Sequence, residues 1–201
     1  MRSVESAPAG APRKGRGARR RILEAAATVF YEEGIVNTSV ERLAEAAHVS
    51  KRTLYDHFPS KALIVDEYLR QSDEAGVESE RVLDRTELSP RDRLVAMFQD
   101  TPGGVPLRGC AFHNASVEAA GTMPSVRDAV VHHKAAFLAN LAAATAEAGA
   151  RDPEGLAAQL AVLFEGSRAL TTSMDARTPM AAARAAAEVL IDAAVPALIT
   201  P

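Results

Sequence analysis

Thr38-Ser-Val-Glu-Arg-Leu-Ala-Glu-Ala-Ala-His-Val-Ser-Lys-Arg-Thr-Leu-Tyr-Asp-His-Phe-Pro-Ser-Lys61 decides the fold of this chain. Val40, Leu43, Ala44 and Ala47 recur at helical spacing, and Leu54 and Phe58 lie four apart on a second apolar face. Only His48-Val49-Ser50 separates the two runs. Two short helices joined by so tight a turn form a helix-turn-helix, whose second helix lies in the major groove of DNA. Such a turn needs a residue at positive φ, most cheaply Gly. Here the position holds His48, which tolerates that region better than most non-glycine residues, and Val49 then plugs the space between the helices.

Reading outward, helix starts are marked by capping side chains. Thr38 with Glu41 reads as a capping box, and Ser50 and Ser60 as caps of the next two helices. Ser89-Pro90, Asp152-Pro153 and Thr178-Pro179 each set a polar side chain before Pro at a first helical position, and Pro124 opens another helix. Upstream, Ile22, Ala25, Ala26, Val29 and Phe30 form one helical stripe that Gly34 ends. The expected fold is all-α, with helices at about 16–33, 39–46, 50–56, 60–84, 89–101, 109–120, 124–149, 153–174 and 179–195. A flexible basic arm at 1–15, a three-helix DNA-binding unit at 16–61 and a larger helical domain at 62–201 follow from it.

Composition agrees. Of 201 residues 47% are hydrophobic but only 4% aromatic, so alanine and leucine carry the burial. Residues 1–61 hold 11 Lys/Arg against 7 Asp/Glu, a net of +4, and residues 62–201 hold 12 against 19, a net of −7. A basic head on an acidic body fits a nucleic-acid module joined to a part that does not touch nucleic acid. One cysteine excludes an intrachain disulfide framework, and no apolar run reaches the length of a membrane span. The first 21 residues lack the apolar stretch of a secretory signal, so a cytoplasmic location is expected. Pro102-Gly-Gly-Val-Pro106 lacks the Lys-Ser/Thr of a phosphate-binding loop and reads as a connector.

Lys51 and Arg52 stand at the leading end of the second helix, where a base reaches guanine O6 and N7. Ser50 and Thr53 flank them. Arg13, Lys14, Arg16, Arg19, Arg20 and Arg21 are placed to follow the minor groove or to lend nonspecific attraction.

The string Thr53-Leu54-Tyr55-Asp56-His57-Phe58, followed by Lys61, resembles the N-terminal domain of the tetracycline-repressor (TetR) family of transcriptional regulators. The specific part of the resemblance covers residues 20–65. It implies phosphate-binding roles for Thr38, Tyr55, His57 and Lys61, contacts that position the protein without reading sequence. It also implies a homodimer on a roughly palindromic double-stranded operator, released by a small-molecule effector bound in the body.

The body offers candidates for both remaining tasks. Leu156, Leu160, Leu163 and Phe164, then Ala183, Ala187, Leu190 and Ile191, are the expected faces of a four-helix dimer interface. Met97, Phe98, Phe112, Val117, Phe137 and Phe164 are the larger apolar side chains of the middle helices, most of them expected in the core. Cys110, His113, Asn114, Glu118 and Arg168 are the polar groups expected to converge on a ligand. His132 and His133 read as a solvated helix face. Cys110 and His113 lack the rest of a zinc site, so no metal or other cofactor is expected. Two other functions compete with ligand control. Oxidation of Cys110 as the trigger requires a reactive, exposed thiol. A helical enzyme requires a nucleophile–base constellation, and none appears at believable spacing.

Overall fold

The computed structural model describes residues 14–99, 109–174, 176 and 178–195, and all regular structure among them is helical. The helices are α1 (Lys14–Glu33), α2 (Val40–Ala46), α3 (Lys51–His57), α4 (Lys61–Ala75), α5 (Glu78–Arg81), α6 (Pro90–Ala96), α7 (Ala111–Glu118), α8 (Pro124–Glu147), α9 (Pro153–Met174) and α10 (Thr178–Ala194). A 3-10 turn at Val82–Asp84 continues α5. The nine expected helices are found, the fourth in two pieces. Gly76 divides it, at φ 71 with its N–H bonded to the Asp73 carbonyl, a conformation that no ordinary helical residue adopts. Residues 1–13 of the expected arm and the 102–106 connector lie outside the described residues. Helix already begins at Lys14, inside the expected arm.

Caps set the registers. Ser50 Oγ accepts from Thr53 N at 3.0 Å, Ser60 Oγ from Leu63 N at 3.3 Å and Ser89 Oγ from Asp92 N at 3.1 Å. Asp152 Oδ1 accepts from Gly155 N at 3.0 Å. The capping box at Thr38 is corrected: Ser39 caps α2, accepting from Arg42 N at 3.1 Å. Thr38 instead turns inward, 1% exposed, and its hydroxyl donates to the Gly34 carbonyl at 2.6 Å.

Two hydrophobic cores form, and they do not divide at Lys61. The first gathers Ile22, Phe30, Leu43 and Leu54 of the head with Ile64 and Leu69 of α4, Phe112 and Ala115 of α7, and Val126 and Val130 of α8. The second gathers Leu94 and Phe98 with Phe137 and Leu141 of α8, Leu160 and Phe164 of α9, and Ala187 and Ile191 of α10. Helix α8, 24 residues and about 36 Å long, therefore lends its first half to one core and its second half to the other. No described helix is long and apolar enough to cross a membrane.

The expected dimer face is corrected here. Leu156, Leu160, Ala183, Ala187 and Ile191 are buried within the single chain, because α9 and α10 pack on each other and α9 on α8. Leu163 and Leu190 are half-buried against the same core. The opposite side of the pair presents Val162, Leu170 and Met174 of α9 and Val189 of α10, all more than half exposed.

Candidate nucleic-acid interface

Helix α3 is held by one face. Leu54 and Phe58 are buried in the head core, and burying two such side chains contributes on the order of 3–6 kcal/mol by transfer alone. That leaves Lys51, Arg52 and Tyr55 exposed on the remaining faces. The turn before α3 has the predicted geometry. His48 is the sole described non-glycine residue at positive φ, 51°, and Val49 packs against the head core. Ser50 and Thr53 pair through their hydroxyls at 2.9 Å, so both serve the cap as they flank the basic residues.

Lys51 forms an ion pair with Glu41 of α2. The bond raises the lysine pKa and lowers that of the carboxyl. Both groups are exposed, so the pair is a weak clasp that a phosphate or a base can displace. His57 is half-buried. Lys61 donates from Nζ to the Val36 carbonyl at 3.3 Å; burial draws its ammonium below the usual value and the Glu118 charge opposes that. Buried Thr38 offers no hydroxyl to a phosphate.

Three basic residues of α1 are likewise engaged by the protein. Arg19 pairs with Glu67 at 2.8 Å and lies over the Phe58 ring at 5.2 Å; Arg20 pairs with Glu24 at 2.7 Å; Arg21 donates to the Ala47 carbonyl at 3.2 Å. Arg19 and Arg21 brace α1 against α4 and the end of α2, while Arg20 pairs within α1. Arg13 lies outside the described residues.

In the body, Cys110, His113, Asn114, Val117 and Arg168 line one cleft of about 150 Å³ between α7 and α9, with Glu118, Glu165, Thr172 and Ser173. The remaining pocket candidates are elsewhere. Met97, Phe98, Phe137 and Phe164 fill the second core, where Phe98 meets Phe164 edge to face at 5.9 Å, and Phe112 sits in the first. They are core because the long helices bring their apolar faces together. The cleft consequently sets polar side chains on a lining that is still largely apolar in area.

Sequence reasoning missed the groups behind it. His133 is corrected from a solvated position: it is 5% exposed, stacked on Phe112 at 3.6 Å and bonded through Nδ1 to Asp73 at 2.8 Å. Burial lowers its pKa, but the nearby Cys110, Glu80 and Asp73 favour the charged ring, outweigh burial and raise it to about 10. Burial pushes the Cys110 thiol up, and His133, Lys134 and Arg168 outweigh that and hold it below its usual value. Lys134 bonds Glu165 at 2.6 Å. Cys110 itself is 2% exposed, which withholds it from oxidants in solution. No group of three or more potential ligands is placed to hold a metal among the described residues.

The second missed feature joins cleft to head. Glu118 Oε2 accepts from Ile35 N at 2.5 Å and from Val36 N at 3.3 Å, across the turn between α1 and α2. Tyr31 of α1 and Arg168 of α9 both donate to the Gly109 carbonyl, at 3.1 and 3.2 Å. These contacts join residues 59 to 83 positions apart, so no local pattern announces them.

A short helix pinned by its apolar face, presenting two bases and a tyrosine beyond a tight turn, has the geometry of a DNA-binding helix-turn-helix. The family model described as bacterial regulatory proteins, tetR family, matches residues 22–68. That match takes in the helix-turn-helix and its flanking helices, about a quarter of the chain. It is 46% identical over 54 residues to the transcriptional repressor KstR2 of Rhodococcus jostii, covering 27% of this chain and 26% of that one. To the KstR2 of Mycolicibacterium smegmatis it is 36% identical over 81 residues, 40% and 39% of the two chains. The chain thus matches well under half of these curated relatives. Over most of its length it resembles the crystal structure of a TetR-family transcriptional regulator from Streptomyces coelicolor, at TM-score 0.78 and 27% identity, covering 92% of this chain and 93% of that one.

Proposed function

We propose that the protein is a homodimeric transcriptional repressor that leaves a roughly palindromic operator when a small molecule enters the α7–α9 cleft. The carrying observation is α3, anchored by Leu54 and Phe58 with Lys51, Arg52 and Tyr55 outward. The KstR2 relatives are repressors by name. In a dimer, the two copies of α3 must sit about 34–36 Å apart, one turn of DNA, to read two half-sites. The exposed apolar stripe of Val162, Leu170, Met174 and Val189 supports pairing of α9 and α10 with a second copy. A regulator from Saccharomonospora viridis with a similar fold was crystallised in complex with choline, a small molecule, which supports a small effector here. At about 150 Å³, this cleft is below the 300–1,000 Å³ of drug-sized sites, and it sets charged and hydrogen-bonding side chains on a largely apolar surface, which favours a small effector that bears a polar group. The relatives are regulators, and the protein's own chemistry is read as binding, not turnover.

Selection of bound fragments from sheared genomic DNA, then salt titration on the best site, tests this. Enrichment of an inverted repeat, with affinity falling steeply as salt rises, is expected. Recovery of no preferred sequence overturns it. Lys51→Ala and Arg52→Ala are expected to relax base preference by about 1–3 kcal/mol, whereas Tyr55→Phe and Lys61→Ala weaken all sequences alike.

A further inference from the structure

One side chain belongs to both the cleft and the head. Glu118 ends α7 and lines the cleft, yet its Oε2 accepts the backbone N–H groups of Ile35 and Val36 in the turn that leads to α2. Gly34 makes the approach possible. A Cβ there would stand 2.8 Å from Glu118 Oε2, and the glycine is at φ 93, so both space and backbone exclude a larger residue. The same turn is held at two further points. Lys61 Nζ donates to the Val36 carbonyl, and the Thr38 hydroxyl donates to the Gly34 carbonyl. Four residues, Gly34 to Asn37, thus connect a wall of the cleft to the start of α2 and to Lys61 at the start of α4.

An ionised carboxylate only accepts hydrogen bonds. A molecule in the cleft that donates to Glu118, through an ammonium or another N–H group, therefore competes with the N–H groups of Ile35 and Val36 for the same acceptor. We propose that Glu118 is the latch through which the cleft controls the head. An occupant bearing a donor draws the carboxylate off the α1–α2 turn, the turn loosens, and α2 and Lys61 lose their fixed placement against DNA. This rests on the reading of the protein as a cleft-controlled DNA-binding regulator, and it adds the chemical class of the occupant and the route of its signal. Glu118 is a positioning residue on this view and touches no DNA.

A tethered occupant tests it without an identified effector. Ser173 lines the cleft from α9 and is exposed, so Ser173→Lys delivers an ammonium group at little risk to folding, and Ser173→Met supplies the length without the charge. Amide exchange at Ile35 and Val36, and affinity for one fixed DNA duplex, are measured on the full chain. Glu118→Ala and Ser173→Lys are each expected to speed exchange at both amides about tenfold and to weaken DNA binding about fivefold or more. Val131→Ala, exposed on α8 outside the cleft, leaves both readouts unchanged, and Ser173→Met moves them less than Ser173→Lys does. Ser173→Lys combined with Glu118→Ala adds nothing beyond Glu118→Ala.

Unchanged exchange in Glu118→Ala overturns the latch. Faster exchange with unaltered DNA affinity overturns its control of the head. An effect of Ser173→Met equal to that of Ser173→Lys overturns the requirement for a donor. Absence of DNA binding by the unmodified protein instead removes the regulator reading, and the exchange arm still reports on the latch.

Discussion

In the head, the polar residues on α3 point outward from a helix fixed by its own neighbours, whereas in the body the polar residues turn inward and pair across the fold. Ser50 caps Thr53 three positions away, but His133 meets Asp73 across 60 residues and Glu118 meets Ile35 across 83. The difference is one of purpose. A surface that reads DNA needs reach and a rigid base, which local caps and one apolar face supply. A cleft that responds to a small molecule needs convergence, which only the assembled helices supply.

The largest test of this contrast lies in the cores. Phe30→Ala in the first and Leu141→Ala in the second each remove a buried side chain, at an expected cost of about 2–5 kcal/mol. Because α8 runs through both cores, urea unfolding followed by circular dichroism is expected to shift as one transition in each variant. Two separated transitions would show the head and body to be independent and would undo the shared-helix account.

A second test isolates the inward-facing network. With its pKa raised to about 10, protonated His133 contributes stability that is complete below about pH 6.5, its ordinary value. That contribution is lost as pH rises through about 10. The urea midpoint of the native protein is expected to fall between those values, and His133→Gln to lack the fall that His133 causes. A profile of equal slope in both proteins would mean that the imidazole is neutral in the fold.

Local effects in the head are smaller. Ser50→Ala removes the α3 cap and is expected to cost about 1 kcal/mol, whereas Thr172→Ala, on the exposed rim of the cleft, stays within about 0.5 kcal/mol. Equal losses in calorimetry would blur the contrast. Smallest of all, His48→Gly relieves a left-handed residue and is expected to gain roughly 0.5 kcal/mol, the backbone relief exceeding the added entropy of the unfolded chain. A destabilised His48→Gly would show that the imidazole makes a contact of its own.

How much was legible in the sequence follows the same line. The turn at His48, the caps at Ser50, Ser60, Ser89 and Asp152, and the outward bases of α3 are read from residues within four positions of each other. Thr38 misled because two hydroxyls stand side by side, and only packing decides that Ser39 caps while Thr38 is buried. Periodicity located the apolar stripes of α9 and α10 but not their partner, which proved to be the chain's own core. His133 was hidden because α8 is buried on different faces along its length, so its apolar pattern does not mark one side. Glu118 was expected among the polar groups of the cleft, and the structure places it there, but its grip on the α1–α2 turn joins residues 83 apart and has no local signature.

Helix α8 also sets a limit on engineering. Regulators with a detachable reading head invite the exchange of heads between bodies, and Lys61 looks like the natural seam. Yet Phe112, Val126 and Val130 complete the apolar floor on which the head rests. A graft ending at Lys61 would set a new head on a surface shaped for the old one. Successful hybrids will need to carry matching residues at 112, 126 and 130, so the unit of inheritance here is a packed surface rather than a stretch of chain.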